Sequence, residues 1–152
     1  MKTLARDECR SEVLRRLDAV TPTSERRWGR MSAPQMVCHL ADAFRMASGE
    51  RAVSPATGPL QRTVVKWIAL YVPMRWPSNI RTRPEIDALY TGTRPGAFAG
   101  DVATVAVLLE AFRVQAQAGR CLPHPIFGRL SPAAWLRWGY LHMDHHLRQF
   151  GH

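Results

Sequence analysis

Three histidines carry the chemistry that this chain could do. His142 and His146 stand four residues apart in SPAAWLRWGYLHMDHHLRQF, Ser131 to Phe150. A helix turning about 100° per residue brings both imidazoles to one face, and Trp135, Trp138 and Gln149 fall within roughly 40° of His142 on that face. Leu136, Tyr140, Met143 and Leu147 widen it, while Arg137, Asp144 and Arg148 lie opposite. Two imidazoles one turn apart can share a metal ion, as where a helix supplies two histidine ligands. They can equally act as helix-end histidines whose protonated form favours the negative end of the dipole. The spacing leaves both readings open, and a metal needs a third ligand. His39 is the candidate, because it falls beside Ala43 and Met46 at the edge of the apolar face of another expected helix.

The elements that must position these rings are marked unevenly. Ser131-Pro132 is a helix-start signal, an oxygen that caps free amides followed by a proline suited to the first turn. Only Gly139 interrupts the run that follows. Ser32-Ala-Pro-Gln35 is a capping box for the His39 helix, and Gly49 is its expected stop. A first amphipathic helix is expected over Ala5 to Val20, with Val13, Leu14, Leu17 and Val20 at helical spacing, and then a polar loop from Thr21 to Arg30 that holds Trp28. From Arg51 to Gly100 six prolines break the chain into short pieces. Within that crossover a helix is expected from Leu60 to Val72, carrying Trp67, Leu70 and Tyr71, and Thr82-Arg-Pro-Glu85 is a second capping-box candidate opening two turns to Tyr90. Asp101 is the expected cap of a helix running to Ala118, and Gly119 to Arg129 is a loop containing HPIFG. Four long helices with a long irregular crossover between the second and third predict an all-α, four-helix bundle with one domain over residues 1–152.

Composition narrows the partners. The 46% hydrophobic content of the 152 residues argues against disorder. The net charge of +9 comes from 19 arginines and 2 lysines spread along the chain in no run longer than two, which argues against nucleic acid as the partner. Cys9, Cys38 and Cys121 are odd in number and form no CxxC pair, so a reduced, cytoplasmic protein is expected. MKTLARDECR has no apolar core of a signal peptide. Val64 to Met74 is the most apolar stretch, but it contains Lys66 and Pro73 and is too short to span a bilayer; a buried helix is expected there, with no membrane partner.

Around the three histidines, Gln149 is placed to orient a ligand ring or a substrate. Asp42, one turn after His39, could do the same or be solvated. His145 is either a proton shuttle or an exposed bystander. Cys38 points about 100° away from His39 and is left out of the site. No base–nucleophile spacing identifies a catalytic triad.

The chain resembles the DinB-like superfamily, in its branch with an HPxFG…W…HxDHHLRQFG pattern. The resemblance lies in HPIFGRLSPAAWLRWGYLHMDHHLRQFG from His124 to Gly151, in RWGRMSAPQMVCHL from Arg27 to Leu40, and in WPSNIRTRPEID from Trp76 to Asp87. It implies a helical bundle whose metal ligands are one histidine on the second helix and an H-x3-H pair on the last, which match His39, His142 and His146. It implies no DNA-binding activity. Relatives include transferases and isomerases that use low-molecular-weight thiols, and others described as metal-dependent hydrolases. The implied cofactor is a divalent transition metal, zinc or nickel, and the implied partners are a small-molecule substrate with or without such a thiol. A non-enzymatic bundle that holds a metal or ligand stays open, as does a homodimer.

Overall fold

The computed structural model describes residues 1–56 and 58–152. The described residues form five α-helices: α1 Asp7–Asp18, α2 Ala33–Ser48, α3 Lys66–Tyr71, α4 Phe98–Gln117 and α5 Pro132–Gln149. Strand pairing among them is limited to one isolated bridge between His124 and Gly128. The protein is all-α, and no described helix is long and apolar enough to cross a membrane.

α5 is the centre of the molecule and touches the other four helices. Its start is the expected one: Ser131 Oγ accepts from the Ala134 amide at 3.2 Å, ahead of Pro132 in the first turn. From Ala134 to Gln149 every residue is buried except a half-exposed stripe of Arg137, Leu141, Asp144 and Arg148. Even that stripe is tied down. Arg16 of α1 meets Asp144 at 2.8 Å, and Arg137 Nε donates to the Leu70 carbonyl of α3 at 3.0 Å. Gly139 explains how neighbours come so close. A Cβ there would lie 2.7 Å from Leu4 Cδ1 and 2.7 Å from Phe112 Cε1, so only glycine lets α4 and the N-terminal segment seat against α5.

α2 begins and ends as its sequence signals. The Ser32 amide donates to Gln35 Oε1 at 2.8 Å, the Gln35 amide donates to Ser32 Oγ at 3.4 Å, and Gly49 closes the helix with φ 87°. The aromatic rings of Phe44 on α2, Phe112 on α4 and Trp135 on α5 pack in series, the first pair tilted with centroids 5.0 Å apart and the second edge-to-face at 5.9 Å. Full burial of such side chains, worth about 1.5–3 kcal/mol each, is what holds three helices in register around the site.

Three expectations need correction. The helix expected to be buried in the crossover exists, as a π-helical turn Gln61–Val65 running into α3, but only Leu70 is buried. Leu60, Trp67 and Tyr71 are 66%, 60% and 44% exposed. α5 is already covered nearly all round, so α3 packs on the outside, held by Leu70, by the Arg137 bond and by Trp76 Nε1 donating to the Ala69 carbonyl at 2.7 Å. The capping box at Thr82-Glu85 does not form; Glu85 Oε1 accepts instead from the Ser54 amide at 3.0 Å, leaving a single 3-10 turn Pro84–Ile86. Asp101 does not cap α4, which starts at Phe98. Its Oδ2 accepts from the Gly96 amide at 2.9 Å, just ahead of the helix.

Candidate metal centre

The three histidines come together where α2 crosses α5. The ligating atoms of His39, His142 and His146 all lie within 4.8 Å of one another, and all three residues are buried. His39 Nδ1 is 2.8 Å from the Ile86 carbonyl. A carbonyl only accepts, so Nδ1 carries the proton and the lone pair sits on Nε2. His146 Nδ1 donates to Gln149 Oε1 at 2.9 Å, and Gln149 Nε2 in turn donates to the Trp28 carbonyl at 2.8 Å. That second bond fixes which way the amide points, and it leaves the lone pair of His146 on Nε2 as well. His142 Nε2 lies 3.1 Å from His39 Nε2. Its ring stacks on Trp138, centroids 4.9 Å apart and planes 11° from parallel.

Burial pushes all three imidazoles below the ordinary histidine range, and the neighbouring rings push His142 and His146 further. Neutral imidazoles are the form that binds a metal. The donor chemistry suits a divalent ion, and one spacing, His39 to His142, fits it directly. Two nitrogens bound at about 2.0–2.1 Å to a tetrahedral ion lie about 3.3 Å apart, close to the observed His39–His142 separation. Hydrogen bonding alone ties His39 Nε2 to His142 Nε2, and His146 bonds through its Nδ1 to Gln149; His142 Nδ1 has no partner among the described residues.

The backbone acceptors that aim the rings are themselves anchored. Gly29, with φ 80°, turns the chain so tightly that a Cβ would lie 2.6 Å from Gln149 Nε2; this turn presents the Trp28 carbonyl. On the other side, Asp42 is fully buried and gathers the crossover. Its carboxylate accepts from the Thr93 amide and hydroxyl, both at 2.7 Å, and pairs with Arg45 at 3.2 Å and Arg51 at 3.1 Å. Arg51 also donates to the Glu85 carbonyl at 2.9 Å, next to Ile86. Asp42 therefore neither touches a ligand ring nor lies in solvent; it holds the segment that carries the ring's acceptor.

The histidines form the inner end of a cavity of about 440 Å³, in the size range of small-molecule sites. Its walls are mainly apolar, with Met46, Ile68, Met74, Ile86 and Trp138 among them. No serine, cysteine, lysine, aspartate or glutamate lines it among the described residues. His145 is buried rather than an exposed bystander: its ring sits 5.8 Å from Trp28 and 5.9 Å from Trp76. Burial brings its pKa down to about 4. Cys38 is on the far side of α2, 3.8 Å from Asp101, and burial raises its thiol to about 11.

The HPIFG loop does more than lead into α5. His124 lines the cavity, and its Nδ1 accepts from the Ile126 and Phe127 amides at 3.1 and 3.2 Å, so its proton is on Nε2. The prolines and the HPIFG spacing carried no signal for that role; a hydrogen-bonded loop histidine is set by its own turn.

Gln149 is thus found in the orienting role expected of it, and the three candidate ligands meet. No curated protein and no solved structure matches the chain. A family model described as "Protein of unknown function (DUF1569)" matches residues 6–152, and the chain belongs to that family.

Proposed function

We propose that the chain is a metal-dependent enzyme of the DinB-like superfamily, a four-helix bundle of α1, α2, α4 and α5 in which His39, His142 and His146 hold one zinc or nickel ion for thiol-dependent transfer to a small electrophile. The observation that carries this reading is the convergence of three buried imidazoles at the inner end of a cavity lined, among the described residues, by no serine, cysteine, lysine or carboxylate, with Thr82 as its one hydroxyl. With three imidazole ligands an ion keeps a coordination position open, where a thiol would be favoured in its nucleophilic thiolate form. The chain's part is positional. The Ile86 carbonyl and Gln149 aim two of the rings, which is the usual way a protein tunes a histidine site. Trp138 and the apolar walls exclude water and accept an apolar electrophile. His145, neutral near pH 7, is no proton store, and its buried Nδ1 has no partner among the described residues.

A hydrolase would use the same ligands with water as the nucleophile. The apolar cavity favours the thiol, and the reaction conditions separate the two: turnover of an ester or amide without any thiol assigns hydrolysis. The first test is elemental analysis of untagged protein beside a His39→Ala/His142→Ala/His146→Ala variant. One zinc or nickel per chain, lost in the variant, is the expected result, and Gln149→Ala should weaken zinc affinity about 10- to 100-fold. No metal in the wild type after incubation with zinc and with nickel overturns the proposal.

A further inference from the structure

The mouth of the cavity differs in charge from its inner end. Arg75, Arg81 and Arg83 line it, and no carboxylate does among the described residues. Arg75 and Arg81 are exposed and make no hydrogen bond or ion pair with any described residue. Arg83 leans on Ser54 and lies 3.7 Å from Glu85, yet its Nε–H is buried with no partner among the described residues. Glu85 Oε2, on the carboxylate beside it, is likewise buried with no partner among the described residues, so Arg83 already has a counter-charge of its own and the two uncommitted guanidinium groups at the mouth are Arg75 and Arg81. Apolar side chains stand in water beside these arginines: Met74 is 54% and Ile80 55% exposed, and both line the cavity. Guanidinium groups recognise carboxylate, sulfonate and phosphate oxygens through paired N–H donors.

We propose that the ligand of this cavity is an amphipathic small anion, its headgroup held at the mouth by Arg75 and Arg81 and its apolar body lying over Ile68, Met74 and Ile80 toward the histidines. The assignment of the inner end as the reacting end rests on the metal-centre reading above; the preference for an anion does not. Carboxylates and phosphates share this headgroup chemistry, and both also bind transition metals. A sulfonate is a weak metal ligand and so isolates the contribution of the arginines.

The test is calorimetric titration of 1-octanesulfonate and 1-octanol into metal-free protein, zinc-incubated protein and an Arg75→Gln/Arg81→Gln variant. These two side chains are exposed and unpartnered, so the variant should keep the wild-type circular dichroism. In wild type, with or without zinc, the sulfonate should bind about tenfold tighter than the alcohol. The variant should lose that preference while binding octanol as before, and salt should weaken sulfonate binding alone. Equal affinities in wild type, no binding of either probe, or a preference that survives in the variant each overturn the proposal. An arginine-dependent preference in a protein that takes up no metal would sink the metal centre and leave this inference standing. Metal uptake with no anion preference would do the reverse.

Discussion

α5 and α3 are both rich in apolar and aromatic residues, and the molecule treats them oppositely. Trp135 and Trp138 of α5 are buried, whereas Trp67 of α3 stands in water. The difference is not one of residue type. α5 has the other four helices as neighbours, so even Arg137 and Asp144 of its charged stripe are bonded to other elements; α3 packs outside α5 and buries only Leu70. Apolar content says that a helix can be buried, and what surrounds it decides whether it is. The same contrast divides the cavity. Its inner end is built on α2 and α5, where every ring is held, and its outer wall is built on the loosely packed crossover.

Acid should expose the contrast most strongly. Thermal melts of the metal-free protein should fall steeply as pH drops from about 6.5 toward 4. Burial holds His124 near 3 and His145 near 4, so both stay neutral in the folded state through that window, while unfolded chains take up protons on ordinary histidines. Stability from these groups is therefore full above about 6.5 and lost on acidification. Both pack on or within α5, and a flat profile would mean that its burial contributes little. Asp42→Ala comes next, since it strips the counter-charge from Arg45 and Arg51 and an acceptor from Thr93. Urea denaturation should show a loss of about 3–5 kcal/mol. A loss under about 1 kcal/mol would show the crossover to be independent of α2. Gly139→Ala should cost about 1–3 kcal/mol by overpacking against Leu4 and Phe112. Trp67→Ser should change stability by less than about 0.5 kcal/mol. A much larger loss there would mean that α3 is covered in solution and that the contrast drawn above fails.

The parts of this structure that were legible in the sequence are those governed by neighbours in the chain. The Ser32 capping box, the Gly49 stop and the Ser131-Pro132 start depend on residues three or four apart, and each is found where its signal stands. The histidine trio was legible for the same reason, since helical period alone puts His142 beside His146 and places His39 on the inner edge of α2. The supports of the trio were not. Ile86 and Trp28 act through backbone carbonyls, which carry no residue signature. Asp42 reads in the sequence as a ring-orienting or solvated carboxylate because its partners Arg51 and Thr93 lie in the crossover, whose path no local pattern predicts. Asp101 and Glu85 misled for a related reason: each has a capping residue's chemistry, but a competing amide captures it first.

The dominance of α5 has a consequence for how the protein is made. α5 follows the other four helices in sequence, and it supplies two of the three histidines, the glutamine that steers one of them and the surface on which the other helices pack. A nascent chain therefore emerges with α2 and α4 able to pair, while the faces of α1 to α4 that pack on α5 stay uncovered until it arrives. A chain cut short before Pro132 would keep the packing of α2 on α4, Phe44 against Phe112, but would lack Trp135, Trp138 and two of the three histidines. Such a product would carry His39 without the other two rings of the cluster and would be open to proteases.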